Sequence, residues 1–135
     1  MITEKRSRTV RPAAVAGMFY PDDPQELESQ LDSFLAQAGN AESPPKAMIV
    51  PHAGYVYSGP VAATAYARLA ANRRKIRRVV LIGPDHRVGF RGIAASSADW
   101  FETPLGRFPV DQAAIDSLPG VERFDRAHML EHSLE

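Results

Sequence analysis

Apolar residues in the first third of the chain recur at helical spacing. They begin at Leu27 and run to Ala38 at intervals of three and four residues, which predicts a helix with one buried stripe. Asp23 is suited to cap this helix, with Pro24 in the first turn. Gly39 is a natural stop. The pattern therefore predicts one amphipathic helix between Pro24 and Gly39.

Two short apolar runs follow, at residues 47–50 and 78–82. Neither alternates with polar residues, which is typical of strands buried on both faces of a parallel sheet. Between them, a helical pattern starts near Ser58, a possible cap, and continues through an alanine-rich stretch. The order strand, helix, strand has the length of a crossover between two parallel neighbours.

Shorter elements are predicted after residue 90. Residues 92–96 are typical of a third strand, 99–110 of a hairpin or irregular element, and 111–118 of a short helix capped by Asp111. Residues 121–124 indicate one more short strand. Together these elements predict an α/β fold with a mainly parallel sheet flanked by helices.

Composition restricts the possible partners. The 135 residues are 44% hydrophobic and 24% charged, and 16 basic side chains balance 16 acidic ones, so nothing calls for nucleic acid or an anionic membrane as partner. The basic cluster at 73–78 can be a solvated loop or a phosphate-binding patch. The chain has no cysteine, no apolar segment typical of a secretory signal and no run long enough to cross a bilayer. We therefore expect a cytoplasmic protein, with residues 1–10 as a flexible arm.

Each predicted parallel strand is followed closely by a histidine. His52 comes two residues after Val50, and His86 comes four residues after Ile82. The carboxyl ends of parallel strands meet at one edge of a sheet, and neighbouring strands lie about 4.8 Å apart. Two imidazoles so placed can share a metal ion. The alternative for each histidine is an ordinary structural role.

Neighbouring side chains could complete such a pocket. Asp85 could orient an imidazole, or serve only as a turn residue. Tyr55 could donate a phenol hydrogen bond or line the pocket as a stacking surface. Alternatively, it could be an ordinary half-buried residue that only packs against its neighbours. His128, Glu131 and His132 follow an H-x-x-E-H order that some metalloproteases use, with both histidines predicted on one helix face. An independent protease site is disfavoured, and His132 is better interpreted as a pocket or catalytic residue.

Five sequence blocks resemble one family. They are "VAGMFYP", "IVPHAGYVYSGPVAATAY", "LIGPDHR", "TPLGRFPVD" and "EHSLE", and they occur in the order seen in the Memo family, whose prokaryotic members are called AmmeMemoRadiSam system protein B. The resemblance covers about residues 11–135 and implies a fold like that of LigB-type extradiol dioxygenases. It places metal ligands at His52 and His86, with His132 near the pocket, and implies iron or copper as the metal. The third ligand, a cysteine in animal members, is expected beyond Glu135 and therefore absent from this chain.

The expected function follows from this resemblance. Residues 11–135 are interpreted as the N-terminal part of a Memo-like domain that continues past the chain end. We expect an iron- or copper-binding redox or dioxygenase-like protein whose site lies at the strand carboxyl ends and takes an unknown small molecule. The alternatives are a non-catalytic module that binds a peptide or protein in the same crevice, and a structural remnant without metal. An exposed apolar sheet edge further predicts self-association.

Overall fold

The computed structural model describes residues 8–39 and 43–135. Their helices and their parallel and mixed sheets form an α/β fold, as predicted. The chain divides into two compact units, which are described separately below. Within the described ranges, no helix combines the length and hydrophobicity needed to cross a membrane.

The helical unit comprises residues 15–84 and 132–135. Its buried side chains are mostly small or aromatic, and they include Tyr20 and Leu27 at 6% and 3% exposure. The regular elements in its described residues are α1 (Pro24–Ala38), α2 (Tyr55–Tyr66) and a 3-10 helix (Ala67–Asn72) that continues from α2.

The predicted signals of α1 are confirmed. The Asp23 carboxylate accepts hydrogen bonds from the backbone N–H groups of Gln25 and Glu26, at 3.0 and 2.9 Å. These bonds satisfy two of the donors that a helix start leaves unpaired. Gly39 follows the helix with φ 73°, a backbone conformation that suits glycine and ends the helix.

Helix α2 begins at Tyr55, so the predicted start at Ser58 is wrong. The N-cap is Gly54, and the Tyr55 N–H donates to the Phe19 carbonyl at 2.7 Å. The Ser58 hydroxyl donates back to the Ala53 carbonyl at 2.6 Å. The start of α2 is therefore set by a contact with a distant loop, which local sequence signals do not reveal.

The predicted parallel pair formed by residues 47–50 and 78–82 is wrong. Both segments run without helix, turn or bend, and neither pairs as a strand within the described residues. Most of their large apolar side chains are exposed, at 102% for Ile49 and 82% for Ile82. An apolar run predicts burial, but burial also requires neighbouring chain, and the described residues do not supply it here.

The sheet unit comprises, among the described residues, 8–14 and 85–131. Its small core includes Ala98, Ala127 and several buried polar groups. Its described elements are β1 (Val10–Arg11), β2 (Ile93–Ala95), β3 (Trp100–Thr103), β4 (Gly106–Pro109), α3 (Gln112–Asp116), β5 (Val121–Arg123) and α4 (Arg126–Met129).

Parallel pairing joins distant parts of this unit. β1 lies parallel to β3, with Val10 opposite Trp100, and β2 lies parallel to β5, with Ile93 opposite Val121. β3 and β4 form an antiparallel hairpin. The predictions for residues 92–96, 99–110, 111–118 and 121–124 are thereby confirmed, including the cap, because Asp111 accepts from the Ala114 N–H at 3.0 Å.

The predicted flexible arm needs a correction at its end. Residues 1–7 lie outside the described residues. Val10 belongs to β1, and the Thr9 N–H donates to the Asp99 carboxylate at 2.8 Å. The chain is therefore fixed in the sheet unit from Thr9 onward, because β3 offers a strand edge that the polar sequence of the arm does not reveal.

Candidate metal centre

His52 and His132 lie side by side in the helical unit. Their ring centroids are 5.5 Å apart, with the ring planes tilted by 51°. The Phe19 ring packs on His132 at 4.7 Å between centroids. Both imidazoles open into a shallow cavity of about 540 Å³, lined by Met18, Phe19, Pro51, His52, Ala53, Gly54, Tyr57 and His132.

The loop before α2 positions His52. A Cβ atom at Gly54 would lie 3.4 Å from the Phe19 carbonyl oxygen, so the two backbones pass close to each other at this point. The Tyr55 N–H donates to the same oxygen. His52, two residues before Gly54, is thus held beside the loop that carries Phe19.

The segment after His132 holds that side chain in the helical unit. The Ser133 hydroxyl donates to the Pro84 carbonyl at 2.8 Å. The Glu135 carboxylate accepts from the Val15 N–H at 3.0 Å and from the Tyr20 hydroxyl. Hydrogen bonds with three residues of the helical unit therefore hold residues 132–135 in place.

His86 lies in the sheet unit, where Glu131 holds it. The Glu131 carboxylate is 4% exposed, accepts from the His86 backbone N–H at 2.7 Å and lies 2.8 Å from the His86 Nδ1 atom. An ionised carboxylate only accepts hydrogen bonds, so a carboxylate at this position favours the tautomer that carries the proton on Nδ1. The Nε2 atom of His86 then carries a lone pair, which is the form that binds a metal.

Arg11 fixes the backbone next to this pair. Its side chain is buried, at 6% exposure, and its guanidinium donates to the carbonyl oxygens of His128 and Glu131, at 3.0 and 2.5 Å. A buried guanidinium is stable only when its donors are satisfied. Sequence reasoning considered Glu131 only as part of a protease-like motif and missed its contact with His86. The sequence signal for this contact was the position of the Glu131 carboxylate directly before His132.

The Asp85 carboxylate is occupied by the turn that follows it. It accepts backbone N–H groups from Arg87 at 3.0 Å, Val88 at 3.1 Å and Gly89 at 2.5 Å. These bonds, with Arg87 first, lower the pKa of Asp85. The imidazole-orienting contact predicted for Asp85 is made by Glu131 instead, and the placement of Asp85 near a pocket stays a prediction.

Tyr55 packs between aromatic side chains. Its ring centroid is 5.5 Å from Tyr20 and 6.4 Å from Phe34. Burial raises the pKa of Tyr55, and the nearby Tyr66 and Glu135 add to the shift. Tyr57 lines the cavity described above, whereas Tyr55 does not, so its role as a pocket residue also stays a prediction.

His128 has a different environment from the other three histidines. It is 8% exposed, and its ring centroid is 6.0 Å from that of Phe101. Burial lowers the pKa of His128, and the Arg11 charge acts in the same direction. α4 ends at Met129, so the expected helix face shared by His128 and His132 is wrong. His128 is a neutral core residue.

Comparison with known proteins identifies relatives along nearly the whole chain. The sequence profile described as Memo-like protein, of the Memo family, matches residues 11–135. A MEMO1 family protein of Aquifex aeolicus is 40% identical over 129 residues, 93% of this chain and 47% of the relative. Protein MEMO1 of Xenopus laevis is 38% identical over 93% of this chain and 43% of its own length. A MEMO1 family protein of Ignicoccus hospitalis is 43% identical, over 93% and 49%. The chain thus spans about half the length of these curated relatives.

Proposed function

Because this chain belongs to the Memo family, we propose that it binds one iron or copper ion through His52, His86 and His132. His52 and His132 lie side by side in the helical unit, at 5.5 Å between ring centroids, and the family resemblance adds His86, so each of the three offers one ring nitrogen to the proposed ion. Imidazole nitrogen is a ligand that suits iron, copper and zinc, and three protein ligands are the usual number for a catalytic metal.

The hydrogen bonding of His86 carries this proposal. A metal-binding histidine typically donates its other N–H to a carboxylate, which fixes the ring and the tautomer. Glu131 provides that arrangement at 2.8 Å from Nδ1 and is itself 4% exposed. The same carboxylate accepts from the His86 backbone N–H at 2.7 Å, which fixes the position of the residue as well as its ring.

His132 is the third ligand in this proposal. The family resemblance implied a cysteine from a part of the family's length that this chain does not match, and this chain contains no cysteine. His132 packs beside His52 at 5.5 Å between centroids. His132 also follows Glu131 directly in the sequence. Glu131 orients His86, so the proposed third ligand is the next residue after the one that orients another ligand.

A bound iron or copper ion would supply one-electron redox chemistry and activation of dioxygen. The residues of this chain would position the substrate. The cavity beside His52 has a mostly apolar lining, and the exposed Tyr57 ring and Phe19 offer stacking surfaces. These features favour a small aromatic or otherwise planar molecule as substrate.

The second candidate function is a binding module without catalysis. The cavity is open, and Met18 and Tyr57 at its rim are 72% and 83% exposed. An open apolar depression of this kind also suits the side chain of a peptide or protein partner. We place either function in the cytoplasm, which the lack of cysteine fits, with no role for nucleic acid or a membrane.

Metal content of the purified chain tests the proposal. The protein is prepared without chelator, reconstituted anaerobically with Fe(II) or, separately, with Cu(II), desalted and measured by mass spectrometry. We expect about one ion per chain, and a loss of affinity of at least about 10-fold in each of H52A, H86A and H132A.

His128→Gln is the matched control, because it removes a histidine that lies outside the proposed ligand set. It should bind metal as the unmodified chain does. Iron, copper and zinc that all stay substoichiometric would contradict the metal proposal and leave the binding module as the function. The same conclusion would follow if the three alanine variants bound metal as tightly as H128Q.

A further inference from the structure

A methionine lies at the rim of the cavity that His52 and His132 share. Met18 lines this cavity together with both histidines, and its side chain is 72% exposed. Methionine is among the residue types most often buried, so packing in a core does not account for this position. Met18 is thus accessible to a ligand that enters the cavity.

A closed turn presents Met18 to the cavity. The Gly17 N–H donates to the Tyr20 carbonyl at 2.8 Å, and the Met18 N–H donates to the Val15 carbonyl at 3.0 Å. Gly17 has φ 77°, a conformation that suits glycine. Val15 and Tyr20 at the ends of the turn are buried, at 5% and 6% exposure. The backbone of Met18 is therefore fixed, while its unbranched side chain keeps the rotational freedom to reach a ligand.

The same turn is connected to both histidines. The Phe19 ring packs on His132 at 4.7 Å between centroids. The Phe19 carbonyl accepts from the Tyr55 N–H at 2.7 Å, at the end of the loop that carries His52. Met18 directly precedes Phe19, and Met18, His52 and His132 all belong to the helical unit. One compact part of the chain therefore presents two imidazoles and a thioether at one cavity.

The thioether changes which metal this set of side chains prefers. Imidazole nitrogen suits iron, copper and zinc alike, whereas thioether sulfur is a soft ligand that selects Cu(I). The chain contains four methionines and no cysteine, so methionine is its one source of sulfur ligands. In the part of the chain that the structure describes, Met18 is the methionine that lines this cavity. Its sulfur therefore distinguishes this site from one made of histidines alone.

We propose that Met18 is a metal ligand that makes the site selective for Cu(I), with its sulfur bound alongside the imidazole nitrogens of His52 and His132. This inference rests on the proposed metal function and narrows the choice between iron and copper. Because a soft sulfur ligand favours the soft ion, Met18 would stabilise Cu(I) relative to Cu(II). Met18 would thus determine both the metal and its oxidation state.

The competing interpretation gives Met18 a purely apolar role at the rim. In that case the side chain only contacts a substrate or partner, and another apolar residue of similar volume would serve as well. Leucine has such a volume and lacks sulfur, so Met18→Leu separates the two interpretations. Met18 is exposed, and the variant should therefore fold normally, as circular dichroism can verify.

Competition for Cu(I) tests the proposal. The complete 135-residue chain is kept anaerobic with a reductant, and a chromophoric Cu(I) chelator competes for the ion. We expect M18L to lower the Cu(I) affinity by at least about 10-fold and to change the Fe(II) and Zn(II) affinities by less than about 2-fold. Met129→Leu is the matched control, because Met129 is also exposed, at 63%, and lies in α4 outside the cavity lining. M129L should bind all three ions as the unmodified chain does.

Two spectroscopic measurements identify the sulfur ligand directly. X-ray absorption of the Cu(I)-loaded protein should show scattering from sulfur in the unmodified chain and in M129L, and none in M18L. Cu(I) is diamagnetic, so the second measurement uses protein labelled with ¹³C in the methionine methyl groups. Addition of Cu(I) should shift the Met18 methyl signal and leave the Met129 signal in place.

The outcomes separate this proposal from the metal function on which it rests. Cu(I) bound without sulfur scattering, or M18L that binds Cu(I) as tightly as M129L, would overturn the role of Met18 and leave the histidine site intact. Equal losses of Cu(I), Fe(II) and Zn(II) affinity in M18L would overturn the selectivity, because the residue would then act only through the fold. A chain that binds none of the three ions would overturn both proposals.

Discussion

Replacing Glu131 with glutamine tests how His86 is held. Two donors converge on the carboxylate, the His86 backbone N–H at 2.7 Å and the ring Nδ1 at 2.8 Å. A carboxylate accepts both, whereas the glutamine amide has one oxygen and one NH₂ group. If the oxygen stays with the backbone N–H, the NH₂ group faces Nδ1. The imidazole must then carry its proton on Nε2, which removes the lone pair that a metal needs. If the amide turns the other way, the backbone N–H loses its acceptor.

The size of the effect follows from these bonds. Loss of the carboxylate partner of a metal-binding histidine typically costs 10- to 100-fold in metal affinity, which is about 1.4–2.7 kcal/mol. Glu131 is 4% exposed, so water does not replace the lost acceptor. The free energy of unfolding of the metal-free protein should also fall, by about 1–3 kcal/mol.

Two measurements check this prediction. Long-range ¹H–¹⁵N spectra of the metal-free protein report which His86 nitrogen carries the proton, and they should show Nδ1–H in the unmodified chain and a change in E131Q. A titration with the metal then gives the affinity. Glu122→Gln is the matched control, because it makes the same charge change at an exposed position of β5. An unchanged His86 tautomer in E131Q, with metal affinity equal to that of E122Q, would refute the assigned role of Glu131.

Two further predictions concern packing and protonation. A Cβ atom at Gly59 would lie 2.4 Å from the Phe34 ring, so G59A should lower the free energy of unfolding in urea by about 1–3 kcal/mol. F34L should recover part of this loss, and a G59A variant as stable as the parent would contradict the contact. In the folded protein, burial and the nearby Arg11 charge lower the pKa of His128 below that in the unfolded chain, and a backbone hydrogen bond with Ala94 and the charges of Asp125 and Glu131 offset this only in part. The unfolded chain therefore takes up the proton first, and unfolding free energy should fall as the pH drops through about 6.5. In the presence of chelator, the free energy of unfolding of H128Q should depend less on pH in this range. A dependence as steep as that of the unmodified chain would mean that other groups cause the loss of stability.

Local chemistry explains why much of the fold could be predicted. The α1 cap, the hairpin of β3 and β4 and the cap of α3 each depend on residues fewer than ten positions apart. Asp23 and Asp111 accept backbone N–H groups within their own first turns, so the sequence contains both partners of each bond. Such signals do not depend on how the rest of the chain packs.

Predictions that required distant partners were less accurate. β1 forms because Val10 lies opposite Trp100, and α2 starts at Tyr55 because its N–H reaches Phe19. Neither contact leaves a local trace. The runs at 47–50 and 78–82 show the opposite failure: their composition indicates burial, but the described residues provide no neighbours to bury them. An apolar run predicts that a segment is buried, but it does not identify the residues that pack on it.

The candidate site illustrates the same limit at the level of one hydrogen bond. Asp85 is adjacent to His86, so sequence proximity favoured it as the orienting carboxylate. Its short side chain instead reaches the N–H groups of residues two to four positions ahead, which closes a turn and occupies both oxygens. The backbone carbonyl of Glu131 accepts a hydrogen bond from Arg11, which holds this residue in place. Its carboxylate is left to accept from His86 from 45 positions away. In this chain the carboxylate adjacent to His86 is therefore engaged by its own turn, and the contact with the His86 ring comes from a residue distant in sequence.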